Sequence, residues 1–177
     1  MIRVGINGFG RMGRLATRAA WGRDDLQIVA INEPYMDEAT QALLLEFDSV
    51  QGRWPHPCSG GAGWLRVGTT ELCVSRHERP ADIPWADAEV DLVLECSGAF
   101  RERALLEPHL QEGVQRVVVS APVKDGPPNI VMGVNEHDYD LTNESIVTAA
   151  SCTTNCLAPV VRVLHDGLGI ERGTVTT

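Results

Sequence analysis

Residues Ile2 to Ile6 form a short apolar run, followed by Gly8-Phe9-Gly10-Arg11-Met12-Gly13 and then by Leu15, Ala16, Ala19 and Ala20 at helical spacing. Strand, glycine turn and helix in that order leave few folds open. The turn reads as a dinucleotide fingerprint, in which Gly8 permits the tight turn, Gly10 lets the backbone approach a pyrophosphate, and Gly13 allows close packing of helix on strand. The pyrophosphate is expected on the N–H groups at the helix start, with Arg11 adding positive charge, within a cofactor-binding turn that runs Gly8, Phe9, Gly10, Arg11, Met12 and Gly13. A second apolar run, Gln27 to Ile31, ends in Asn32-Glu33. Glu33 stands about 20 residues past Gly13, the offset of the acid that binds the adenosine ribose. The alternative, a solvated loop acid, is outweighed once the whole unit is considered. A carboxylate there repels a 2′-phosphate, so NAD is favoured over NADP.

The 177 residues are 44% hydrophobic and 22% charged, which suits one ordinary globular core and argues against disorder. A net charge of −9 argues against nucleic acid or an anionic membrane surface as the main partner. No run is long and apolar enough to span a membrane, and Gly8 and Gly10 interrupt any signal-peptide core. The five cysteines, Cys58, Cys73, Cys96, Cys152 and Cys156, are odd in number and lack framework spacing, which points to a reducing cytoplasm.

The second informative stretch is Ala150-Ser151-Cys152-Thr153-Thr154-Asn155-Cys156. Ser151 is a good N-cap, and Leu157, Val160, Val161, Leu164 and Leu168 after it carry a helical period. Cys152 is thus expected in a first helical turn, where unpaired N–H groups and the helix dipole favour a thiolate. Cys156 shares its helix face, but with no second ligand pair nearby a metal site is not expected, and Cys156 reads as a buried filler.

Between these ends, Asp37 to Leu45 reads as a helix and Asp48 to Gly63 as an exposed Gly- and Pro-rich loop. Trp64 to Val67 and Leu72 to Ser75 read as an antiparallel pair joined at Gly68. Val90 to Leu94, Arg116 to Val119, Ile130 to Met132 and Ile146 to Thr148 read as strands, with a helix from Arg101 to Leu110. The alternation predicts a doubly wound, mostly parallel α/β sheet with a small antiparallel excursion. Ligands of such sheets bind beyond the carboxyl ends of the strands, which gathers the glycine turn, Glu33, Ser97, Gly98, Ser120 and Cys152 along one edge. A cofactor and a thiol on one edge suggest nucleophilic catalysis coupled to hydride transfer.

Asn7-Gly8-Phe9-Gly10-Arg11-Met12-Gly13-Arg14, Phe47-Asp48-Ser49-Val50, Glu95-Cys96-Ser97-Gly98, Ser120-Ala121-Pro122-Val123-Lys124, Met132-Gly133-Val134-Asn135 and the Cys152 stretch together closely resemble the glyceraldehyde-3-phosphate dehydrogenase family along the whole chain. The resemblance implies a Rossmann-type NAD domain over residues 1–151 and the beginning of a catalytic domain, a helix and the start of a strand, over 152–177. It implies that Cys152 attacks a phosphorylated aldehyde, that hydride passes to NAD, and that inorganic phosphate cleaves the thioester. Ser151 and Thr153 then hold phosphate, while Arg11, Met12, Glu33, Ser97, Gly98 and Ser120 contact the cofactor. Arg79 matches a further cofactor contact, one residue out of register relative to Trp85. A cytoplasmic homotetramer is also implied.

Departures narrow the likeness. Asn32-Glu33 replaces the common Asn-Asp, as in erythrose-4-phosphate dehydrogenases, and Gln51 replaces a usual His before Gly52-Arg53. Asn32-Glu33-Pro34 with Phe47-Asp48-Ser49-Val50 is similar to a branch associated with arsenic resistance, in which arsenate replaces phosphate. The family's general-base histidine follows Val-Thr-Thr-x and would fall at position 179, beyond Val175-Thr176-Thr177. His165, 13 residues along the helix from Cys152, is too far to substitute. The expectation is the front part of a complete dehydrogenase, inactive alone. The alternative is an NAD-binding module without turnover.

Overall fold

The computed structural model describes residues 1–140 and 142–176. Its first unit is β1 (Ile2–Asn7), α1 (Arg11–Ala20) and β2 (Leu26–Asn32). The two strands are parallel, with Ile6 opposite Ile31 and Asn7 opposite Asn32. Each buries consecutive rather than alternate residues, as a parallel strand covered on both faces must. α2 (Glu38–Glu46) follows, capped by Asp37, whose carboxylate accepts from the Thr40 amide at 2.9 Å.

Segment 48–63 departs from the exposed loop its composition suggests. β3 (Phe47–Asp48) pairs with β4 (Gly52–Arg53), and β5 (Cys58–Gly61) joins the main sheet. The cause is Trp54: its indole is buried edge-on to Trp21 and beneath the Arg18 guanidinium, pinning the middle of the segment to α1. Gly60 lies against the Glu38 carbonyl, where any side chain would collide with α2.

β6 (Trp64–Val67) and β7 (Thr70–Ser75) continue the antiparallel excursion, each entered through a two-residue turn holding a positive-φ glycine, Gly63 at 81° and Gly68 at 58°. The chain returns through β8 (Leu92–Glu95), α3 (Arg103–Leu106), β9 (Arg116–Val119), β10 (Ile146–Thr148) and α4 (Cys152–Leu168). Among the described residues the main sheet runs β10-β9-β8-β1-β2-β7-β6-β5, parallel from β10 to β7. The chain winds outward from β1 through β2 on one side and, after β7, returns to β8 on the other side of β1. This is the switch point at which doubly wound sheets open a crevice.

Three expected elements change. The helix over 101–110 contracts to α3 and a 3-10 turn, Glu107–His109, because Pro108 has no amide to continue it. Ile130 to Met132 makes no strand, only an isolated bridge from Asn129 to Thr148. The Val131 amide is taken by Asn135 Oδ1, and the Asn135 amide folds back on the Val131 carbonyl, closing a turn instead. Residues 170–176 form no strand, since no described strand offers them a ladder; Thr177, which completes the Val-Thr-Thr motif, lies outside the described residues.

Candidate active site

Gly8 follows β1 with φ of 88°, and a Cβ there would lie 2.4 Å from the Ser97 Cα. The loop after β8 is therefore pressed onto the glycine turn, and only glycine fits. A Cβ on Gly13 would lie 2.3 Å from the Gly8 carbonyl, so α1 packs hard on the turn. Gly10 faces open space and caps α1 with no side-chain bond. The first α1 amides are thus uncapped by any side chain, which fits a pyrophosphate. Phe9 is wholly buried, and Met12 is exposed. The Arg11 guanidinium rests 3.3 Å from Asp48, whose carboxyl is held below its usual range by the amides of Gln51 and Val50 and then by Arg11.

Glu33 is 8% exposed, and both carboxylate oxygens are fixed: Oε2 accepts from the Phe9 amide at 2.8 Å and Oε1 from the Tyr35 amide at 3.0 Å. The cofactor turn and the acid therefore hold one another. They border a cleft of about 200 Å³ lined by Gly8, Gly10, Glu33 and Ser97 from the expected set, and by Asn7, Pro34, Tyr35, His77, Glu78, Cys96, Ala99 and Phe100. That is smaller than a whole-ligand pocket, so it suits one part of a dinucleotide. The aromatic walls Tyr35 and Phe100 escaped the sequence reading, although both stand one or two residues past a quoted motif. Arg79 is not among the lining residues: its guanidinium is paired with Asp82 at 2.7 Å, while His77 and Glu78 face the cleft.

Ser97 and Gly98 are exposed at the end of β8, and Ser120, at the end of β9, donates its amide to the Glu95 carbonyl. Burial pushes the adjacent Cys96 thiol up to about 11, against the opposing effect of a hydrogen bond with Ser120.

Cys152 stands apart, beyond β10. The turn into α4 passes through Ala150, buried and with φ of 58°, a left-handed conformation unusual for a residue with a Cβ. Asn155 holds this turn by donating to the carbonyls of Ala149 at 2.6 Å and Ser151 at 2.9 Å. Ser151 caps α4 as expected, accepting from the Thr154 amide at 3.0 Å, and its hydroxyl also meets Thr154 Oγ1. Cys152 and Thr153 are exposed, and no described residue hydrogen-bonds the Cys152 thiol. Cys156 is exposed as well, not buried, because no residue of α4 is buried.

The chain matches the description "Glyceraldehyde 3-phosphate dehydrogenase, NAD binding domain" over residues 2–103 and that family's C-terminal domain over residues 151–177. The chain belongs to the glyceraldehyde-3-phosphate dehydrogenase family. It is 54% identical over 176 residues to glyceraldehyde-3-phosphate dehydrogenase 3 of Nostoc sp., covering 99% of this chain and 52% of that protein. It is 47% identical over 178 residues to the glyceraldehyde-3-phosphate dehydrogenase of Cereibacter sphaeroides and 45% over 175 residues to the cytosolic enzyme of Gracilaria gracilis, each again covering 99% of this chain and 52% of the relative. The chain thus spans about half the length of the curated relatives it matches. NAD is the cofactor of the matched domain, and the uncapped α1 amides, open Gly10 and fixed Glu33 fit it.

Proposed function

We propose that the protein containing this chain is a phosphorylating aldehyde dehydrogenase, which oxidises glyceraldehyde 3-phosphate with NAD through a thioester on Cys152. The observation that carries the reading is the placement of Cys152. It is an exposed thiol at the first position of a helix, on a turn held by Asn155, at the same carboxyl edge of the sheet as the dinucleotide cleft. Three strand spacings separate β10 from β1, about 14 Å. A dinucleotide with its pyrophosphate on α1 and its adenosine toward Glu33 then points its other end toward Cys152.

In this reading the Cys152 sulfur bonds to the aldehyde carbon, giving a thiohemiacetal whose oxygen lies near the unpaired Cys152 amide. NAD, held by the α1 amides and Glu33, would supply the hydride acceptor for that carbon. The thioester left behind is attacked by an oxygen of inorganic phosphate, or of its isostere arsenate, and the C–S bond breaks to return the thiol. Thr153 and Ser151 offer hydroxyls to that anion. Ser151 Oγ already accepts from the Thr154 amide, and with Thr154 Oγ1 as the donor between the two hydroxyls the Ser151 proton is left for the anion. The family likeness supplies the general base from a histidine outside these residues, and it supplies a cytoplasmic homotetramer. The relatives named as cytosolic and the five free cysteines agree with the cytoplasmic location.

The test is acylation of the complete enzyme by glyceraldehyde 3-phosphate and NAD in the absence of phosphate, followed by peptide mass analysis. The mass gain should fall on Cys152, vanish in Cys152→Ser and be released by phosphate or arsenate. NAD binding without any acyl adduct would leave only the module reading.

A further inference from the structure

Beneath the cleft lies a buried polar chain that the proposed chemistry does not use. Glu95, 1% exposed at the end of β8, accepts four hydrogen bonds. Its Oε1 takes the Ser97 amide at 2.7 Å and the Ser97 hydroxyl at 2.5 Å, and its Oε2 takes Asn7 Nδ2 at 2.5 Å and faces His109 Nε2 at 3.0 Å. His109 is fully buried. Trp85 Nε1 lies 3.2 Å from His109 Nδ1 and can only donate, so Nδ1 carries the lone pair and the proton sits on Nε2, aimed at Glu95.

A histidine in a core is ordinarily no more than a satisfied polar group. Here two of the Glu95 partners, Asn7 and Ser97, are themselves walls of the cleft. The Ser97 hydroxyl is spoken for on both sides, since it donates to Glu95 and accepts from the Ala99 amide at 3.1 Å. It therefore presents only a lone pair to a ligand and recognises a donor such as a ribose hydroxyl rather than a phosphate oxygen. Asn7 in turn accepts from Asn32 Nδ2, which also donates to the His77 carbonyl on the opposite wall.

We propose that His109 and Glu95 are positioning residues of the NAD cleft: the Nε2–H tautomer of His109, set by Trp85, orients the Glu95 carboxylate, which fixes Ser97 as an acceptor-only wall. The proposal rests on the assignment of this cleft to NAD.

The test combines NAD titration by calorimetry, 15N NMR of the His109 ring and amide exchange at Ser97. His109→Phe keeps a ring but neither polar atom, and should weaken NAD about tenfold and speed Ser97 exchange. His109→Gln retains an acceptor for Trp85 and a donor for Glu95, and should restore affinity to within about threefold. Glu95→Gln must turn its NH2 toward donors on one side and should behave like His109→Phe. The wild-type ring should show a pyridine-type Nδ1 and a pyrrole-type Nε2. Native NAD affinity in folded His109→Phe, or the opposite tautomer, would overturn the proposal. If His109→Phe does not fold, equal affinity of Glu95→Gln and wild type overturns it instead. Wild-type protein that binds no NAD would sink the cleft assignment and not this arrangement, which the ring nitrogens report separately.

Discussion

At the scale of single residues, the site depends on groups whose hydrogen bonds are already committed before any ligand arrives. Glu33 spends one lone pair of each oxygen on Phe9 and Tyr35 amides, so its remaining pairs are aimed rather than free to rotate. Replacing it with Gln sets an NH2 group against one of those amides. Calorimetry should show NAD affinity falling about tenfold and the preference over NADP shrinking, because the charge that repels a 2′-phosphate is gone. The thiols separate just as clearly. Burial, with Glu46 adding to it, pushes Cys58 up to about 11, and burial does the same for Cys96, whereas Cys152, Cys156 and Cys73 are exposed. Iodoacetamide at pH 8 should therefore label Cys152, Cys156 and Cys73 in the native protein and spare the other two until it unfolds. Cys96 keeps its proton in the fold above the value of 9.0 it has when unperturbed. Its contribution to stability is complete below pH 9 and is lost as pH rises toward 11, which denaturant titration across that window would show as a falling midpoint.

Among the elements, α2 and α4 are opposites. α2 buries Leu45 completely beneath the antiparallel strands, and Leu45→Ala should cost about 2–5 kcal/mol in urea unfolding. α4 buries nothing, and its order at the start rests on Ser151 and Asn155. Asn155→Ala frees the carbonyls on either side of Ala150. We expect the rate of Cys152 alkylation to change while that of Cys73 and the circular dichroism of the remainder stay unchanged. The contrast also explains what the sequence could disclose. β1, α1 and β2 were legible because period, glycine spacing and the acid offset agree with one another. Ile130 to Met132 misled because an apolar triplet does not reveal that Asn135 would claim the Val131 amide. The loop after β3 misled because Gly and Pro dominate its composition while the deciding residue is Trp54. Glu95 could have been suspected, since a charged residue closing an apolar strand run is the mark of a buried carboxylate, whereas His109 follows the charged and proline-containing stretch Arg101 to Pro108 and carries no such mark. Nothing in the spacing of the two, however, joins them without the fold.

Over the molecule as a whole, cofactor and nucleophile ride on parts of very different security. β1, which carries the glycine turn, is hydrogen-bonded on both sides, to β2 and β8, over most of its length. β10, which delivers Cys152, is three residues long and, among the described residues, is bonded in the ladder to β9 alone and supplemented by a single bridge to Asn129. Edges and short strands open first under stress. In a urea series followed by mass-resolved thiol labelling and by NAD binding, labelling of Cys152 should reach its unfolded-chain rate at lower urea than cofactor affinity is lost. Coincident midpoints would show one cooperative unit. The order of failure expected from this arrangement runs from the edge inward: the turn that presents Cys152 loosens first, while the cleft between β1, β2 and β8 keeps its shape.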